Sequence, residues 1–167
     1  MKLKVLICAA GLLSAVAAQA YQTDITVNAN IDPTASLTLA DGTAMPSSVT
    51  MTYVPGNGLS AYKNNIKIWS NAQVDMNVSL AADPQLSDAS GENPIPLTVK
   101  LNGTALSTAN TTFNYSTLFP NGLANGSLAL PLAIAQKSAT QTFIAGKYSG
   151  VISLVVSQAT TKDGTKI

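Results

Sequence analysis

Three carboxylates, Asp83, Asp88 and Glu92, fall within one short polar stretch. Carboxylates so spaced can supply oxygen ligands for calcium, and a pair in unlike surroundings can work as general acid and base. The rest of the chain does not support either chemistry. It has no histidine and one glutamate, so the usual parts of acid–base and nucleophilic machinery are missing. Pro84, Ser87, Ser90 and Gly91 interleave with the carboxylates. A solvated turn is therefore the simpler reading. The expectation is no enzyme, no catalytic residue, no metal and no cofactor. Asn77, Asn102, Asn110, Asn114 and Asn125 each open an Asn-x-Ser/Thr sequon. In a chain this rich in Asn, Ser and Thr, they read as products of composition.

The first twenty residues are MKLKVLICAAGLLSAVAAQA. Lys2 and Lys4 precede an apolar run, and Ala18-Gln19-Ala20 forms a small-residue cleavage site. This is the pattern of a secretory signal peptide. The run is too short to cross a membrane. Cys8, the only cysteine, sits inside it, so the mature chain is expected to reach an oxidising space with no disulfide. The 147 residues from Tyr21 onward suit one domain with a real core. They carry seven lysines, no arginine and eight acids, a net charge of about −1. No basic patch points to nucleic acid.

Apolar and polar residues alternate along most of this length. Val49, Met51 and Tyr53 share one face, as do Ile66 and Ile68. Further sets are Val74, Met76, Val78 and Leu80; Ile95, Leu97, Val99 and Leu101; Leu128, Leu130, Leu132 and Ile134; and Tyr148, Gly150, Ile152, Leu154 and Val156. Period-2 patterns with one wet face belong to antiparallel sheets. Asn102-Gly103 predicts a two-residue hairpin turn with Leu101 opposite Thr104 and Val99 opposite Leu106. About eight short strands separated by turn residues predict an all-β, immunoglobulin-like sandwich. Trp69 is out of phase with Ile66 and Ile68, and core packing is the expectation for it. Ser107–Asn125 reads as either an elaborated loop or a short extra element.

The segment from Thr23 to Leu39 has two alternating runs separated by Asp32-Pro33. Ile25, Val27, Ala29 and Ile31 form one apolar face; Leu37 and Leu39 begin the next. Burying the first set contributes on the order of 5–8 kcal/mol, comparable to the net stability of a small domain. The strand either pairs within its own domain or is given to a neighbour, and alternation alone fits both.

These residues resemble a known family. "ITVNANIDP" (Ile25–Pro33) is similar to the opening of the major pilins of alpha-class (class 5) chaperone–usher fimbriae, which include colonisation-factor and cable pilins. "LADGTAMPSSV" (Leu39–Val49), with Met45 where the family has leucine, "DPQLSD" (Asp83–Asp88) and "YSGVISLV" (Tyr148–Val155) resemble further blocks in the same order. The resemblance implies an incomplete immunoglobulin-like Greek-key sandwich whose groove is filled by the next subunit's N-terminal strand, a β-augmentation. It makes Ile25, Val27, Ala29 and Ile31 the donor side chains and Asp32-Pro33 the joint, whose X–Pro bond can exist as cis or trans. The acceptor groove is then Ile152, Leu154 and Val156, with Leu37 and Leu39 opposite and Gly150 leaving room for a donor side chain. A head-to-tail contact of this kind builds a filament.

The implied organisation is a signal peptide (1–20), a donor strand and proline joint (21–34), a pilin sandwich (35–157) and a polar tail (158–167). The implied partners are copies of the chain itself, a periplasmic chaperone, an outer-membrane usher and a tip adhesin. The implied location is a surface fimbria reached through the periplasm, and the role is structural, supporting adhesion to host tissue. The tail, QATTKDGTKI, departs from the family pattern. It is read either as a flexible extension or as a contact with a neighbouring subunit. The rival functional readings are a secreted monomeric glycan-binding module, using Phe113 and Tyr115, and a minor or tip fimbrial subunit.

Overall fold

The computed structural model of the chain describes residue 26, residues 34–138 and residues 144–167. The expected leader and the strand carrying Ile25, Val27, Ala29, Ile31, Asp32 and Pro33 lie outside the described residues. The chain divides after Ile31, and the fold described is that of the unit which follows. Its first strands are β1 (Ala35–Leu39), β2 (Tyr53–Val54), β3 (Gly58–Leu59), β4 (Tyr62–Ser70) and β5 (Met76–Leu80). Then come β6 (Gln85–Leu86), β7 (Ile95–Leu101), β8 (Thr104–Ala105) and β9 (Thr111–Phe113). A one-turn helix, α1 (Tyr115–Leu118), precedes β10 (Leu130–Gln136), β11 (Leu154–Gln158), β12 (Thr161–Lys162) and β13 (Thr165–Lys166).

The strands form an all-β, immunoglobulin-like sandwich. One sheet runs β1-β4-β10-β7-β6, with β8 added to β7; the other runs β11-β5-β9. Every pairing is antiparallel. The alternation read from the sequence decides which side chains meet. Ile66 and Ile68 of β4, Leu97, Val99 and Leu101 of β7, Leu132 of β10, and Met76 and Val78 of β5 join one buried core. Each such side chain contributes roughly 1.5–3 kcal/mol on burial. The Asn102-Gly103 hairpin has the expected register, Leu101 opposite Thr104. Both turn residues have positive φ, 49° and 81°, as a type I′ turn requires. The Leu106 amide donates to the Val99 carbonyl.

Four expectations are corrected or resolved. Trp69 is not in the core. No bulge interrupts β4, so Trp69 keeps the phase opposite to Ile66 and Ile68 and lies half-buried on the outer face. Its indole N–H donates to Thr38 Oγ1 at 2.9 Å, and its ring lies against Gly126. The run Tyr148–Val156 is not one strand. Ser149 pairs with Ser87 beside β6, whereas β11 pairs with β5 from Leu154 onward. The chain thus changes sheets between them, and Val151 at the crossing is 87% exposed. Residues 49–52 form no strand; only Tyr53–Val54 pairs, with Gly58–Leu59. Ser107–Asn125 contributes both β9 and α1, and Leu118 and Phe119 from this stretch are buried in the core.

Candidate functional site

The change of sheets opens a gap in the sandwich. β1 is the edge of one sheet and β11 the edge of the other. Near residues 34 and 158 these edges lie against each other. Where β11 begins, at Leu154, a groove of about 880 Å³ opens between the segment that follows β1 and the segment that precedes β11. Leu97 of β7 and Leu132 and Ile134 of β10 make its floor, with Ile95 and Leu86 beyond. One wall is the segment 45–51, the other the segment 144–154. Its rim carries Val49, Tyr53, Ile144 and Val151, all large apolar side chains left exposed. Exposed apolar side chains gathered around one opening are characteristic of interaction sites.

Of the acceptor residues expected from sequence, Gly150, Ile152 and Leu154 line this groove. Leu37, Leu39 and Val156 are half-buried against the core, beyond its lining residues. The reason given for Gly150 needs correction. A Cβ built there would run into the backbone carbonyl of Gln85. The missing side chain makes room for this chain's own β6. Gly58, buried with φ +81°, works similarly: the Gln136 side chain fills the space where a Cβ would stand. Gln136 Oε1 accepts from the Leu59 amide at 2.8 Å, holding β2–β3 at the end of β10.

The three clustered carboxylates are not brought to the groove. Asp88 uses both oxygens on its own loop. Oδ1 accepts from the Ser90 and Gly91 amides and the Ser90 hydroxyl, and Oδ2 from the Asn93 side chain. These bonds, Asn93 and Ser90 foremost, hold its pKa below the ordinary carboxylate value. Phe113 and Tyr115 are not displayed for a ligand either. Phe113 packs against the core. Tyr115 lies 5.6 Å from the Phe119 ring centroid, with the Lys162 ammonium 4.6 Å over its own ring.

The family model for the CS1 type fimbrial major subunit matches residues 21–157. The chain belongs to that family. It is a structural component of a surface fimbria and not an enzyme. It is 37% identical over 150 residues to a CFA/I fimbrial subunit of Escherichia coli O78:H11, covering 85% of this chain and 88% of that one. It is 34% identical over 173 residues to a CS1 fimbrial subunit of Escherichia coli, covering 96% and 100%. Among solved structures it resembles the CooA pilin subunit from enterotoxigenic Escherichia coli. That match has a TM-score of 0.69 and 28% identity, over 80% of this chain and 92% of the other.

The fimbrial subunit's last residues, 158–167, follow the part matched by the family model. They form an ordered hairpin. Thr161 pairs with Lys166 and Lys162 with Thr165 around Asp163-Gly164, both at positive φ. Asp75, fully buried, holds the hairpin down. Its carboxylate accepts from the Asp163 amide at 2.7 Å, the Gly164 amide at 3.0 Å, the Thr161 hydroxyl at 2.7 Å and the Tyr115 amide at 2.8 Å. Burial pushes its pKa up, but the four donors outweigh burial and bring it from 3.8 to about 2. Asp163 in turn accepts from the Ser116 amide. Gln158 Nε2 donates to the Thr34 carbonyl, Ser70 Oγ and Asn71 Oδ1, and the Thr34 amide donates to Asn71 Oδ1.

Sequence reasoning missed Asp75 and Gln158. Asp163-Gly164 between two Thr-Lys pairs was a visible hairpin signal. The partners of Asp75 lie 40 and 86–89 residues away, and no local pattern reaches that far.

Proposed function

We propose that this fimbrial subunit polymerises by donor-strand exchange, residues 25–31 of one copy entering the groove of the next. Ile25, Val27, Ala29 and Ile31 are the inserting face, and Asp32-Pro33 is the joint. Gly150, Ile152, Leu154 and Val156 form one side of the acceptor region, with Leu37 and Leu39 opposite. The observation carrying this reading is the apolar groove whose walls, 45–51 and 144–153, have no strand of their own. An extended segment laid there would pair exposed backbone and bury alternate side chains. The contact joins unlike surfaces and therefore grows without closing.

On this reading the leader takes the chain to the periplasm. A chaperone there covers the groove, an outer-membrane usher exports the growing fibre, and a tip adhesin leads it. The fibre supports adhesion to host tissue. The test is deletion of residues 22–34 in cells that otherwise assemble the fibre. The expected result is loss of filaments by electron microscopy and loss of SDS-resistant ladders from surface extracts. Unchanged filaments and ladders would overturn the donor-strand assignment.

A further inference from the structure

The C-terminal hairpin is fixed at the point where the N-terminal segment leaves the domain. Gln158 holds the Thr34 carbonyl at 3.0 Å and Asn71 at 2.8 Å, and Asn71 holds the Thr34 amide. Three residues beyond Gln158 the hairpin begins, bolted to the same block by Asp75. Thr34 is three residues from Ile31, a span of at most about 11 Å at full extension. If Ile31 sits in a neighbour's groove, the hairpin lies beside that groove's mouth. It has no freedom to move away without breaking the Gln158 and Asp75 bonds.

We infer that the hairpin of residues 161–167 is a second contact between adjacent subunits, seated against the rim of the neighbour's groove. The inference rests on the donor-strand reading, and its partner is a second copy of this chain. The surfaces suit each other. The hairpin presents Ile167, 71% exposed, and the rim presents Val49, Ile144 and Val151. Apolar side chains exposed at both places would leave water together on assembly. The hairpin would thereby add a second restraint to the joint between subunits.

The mature chain has no cysteine, so paired single-cysteine subunits can be read cleanly. Lys166→Cys subunits would be co-assembled with Ser48→Cys subunits, or with Val151→Cys subunits, and the intact fibres treated with a short bismaleimide. These positions are exposed, so the changes leave the fold alone. Asn28→Cys with Val155→Cys serves as the donor-strand control. The expected result is covalent dimers from Lys166→Cys with at least one wall, alongside dimers from the control pair. Control dimers without any hairpin dimers would overturn the second contact and leave the donor strand standing. Absence of control dimers from assembled fibres would overturn the donor-strand reading and this inference with it.

Discussion

Asp75 shows how one side chain can join distant parts of a fold. Its neighbours Met76, Val78 and Leu80 were legible as a core face from alternation, and all three are buried. What covers the opposite face was not legible, because the donors arrive from α1 and the last hairpin. Asp75→Asn keeps the shape but turns a donor group toward donors. It is expected to cost about 2–4 kcal/mol in chemical denaturation, from unsatisfied buried groups. The pH dependence has a definite sign. The folded pKa, about 2, lies below the ordinary 3.8. The stabilisation is therefore complete above about pH 4 and is lost as pH falls toward 2. The wild-type chain should lose stability across that window, and Asp75→Asn should lose less. An equal slope in both proteins would remove Asp75 from the account. Gly150 belongs to the same scale. Gly150→Ala should cost about 1–3 kcal/mol by overpacking against the Gln85 backbone, read as a lowered thermal midpoint.

Elements differ in how far local sequence dictates them. The β7–β8 hairpin is a local decision: Asn102-Gly103 supplies two left-handed positions, and the register follows. Gly103→Ala should cost about 1 kcal/mol, seen in thermal unfolding, with no change in fibre ladders. Trp69 follows the plain phase of β4, and its indole finds its acceptor on β1. The stretch 148–156 follows a different logic. Its alternation is continuous, yet its first part pairs with one sheet and its last with the other. Strand identity there depends on which edges are free, and alternation carries no such information. The segment 49–52 likewise alternates but forms no strand; of its residues Thr52 is tied to the neighbouring hairpin, through Ser60. Both misread runs are walls of the groove. On the donor-strand proposal, the alternation at these places belongs to a pairing that only a neighbouring subunit completes.

For the molecule as a whole, leader, composition and alternation were enough for an all-β sandwich without catalytic parts. The ordered motifs were enough for the fimbrial family. The turn of the last hairpin was visible in Asp163-Gly164, but what holds it in place was not, since Asp75 and Gln158 anchor it across long sequence separations. The open groove makes a prediction at this scale. A subunit lacking residues 21–34, given a synthetic peptide of that segment, should gain on the order of 5–8 kcal/mol in the saturated complex, reflecting burial of its apolar face. Differential scanning calorimetry would show the raised midpoint. A peptide with Val27→Asp should raise it far less, and equal shifts would argue against a side-chain-specific groove.

The cluster of Thr34, Ser70, Asn71 and Gln158 also bears on mechanics. In a fibre joined through residues 25–31, a pull along the axis enters each domain at Thr34. There it meets hydrogen bonds to the end of β4 and the end of β11, one strand from each sheet. β1 behind it is held to β4 along its whole length. Tension is therefore shared between both layers from the first residue, and β1 is loaded lengthwise against its neighbour. Several bonds must yield together, where a strand peeled from one end would give them up in turn.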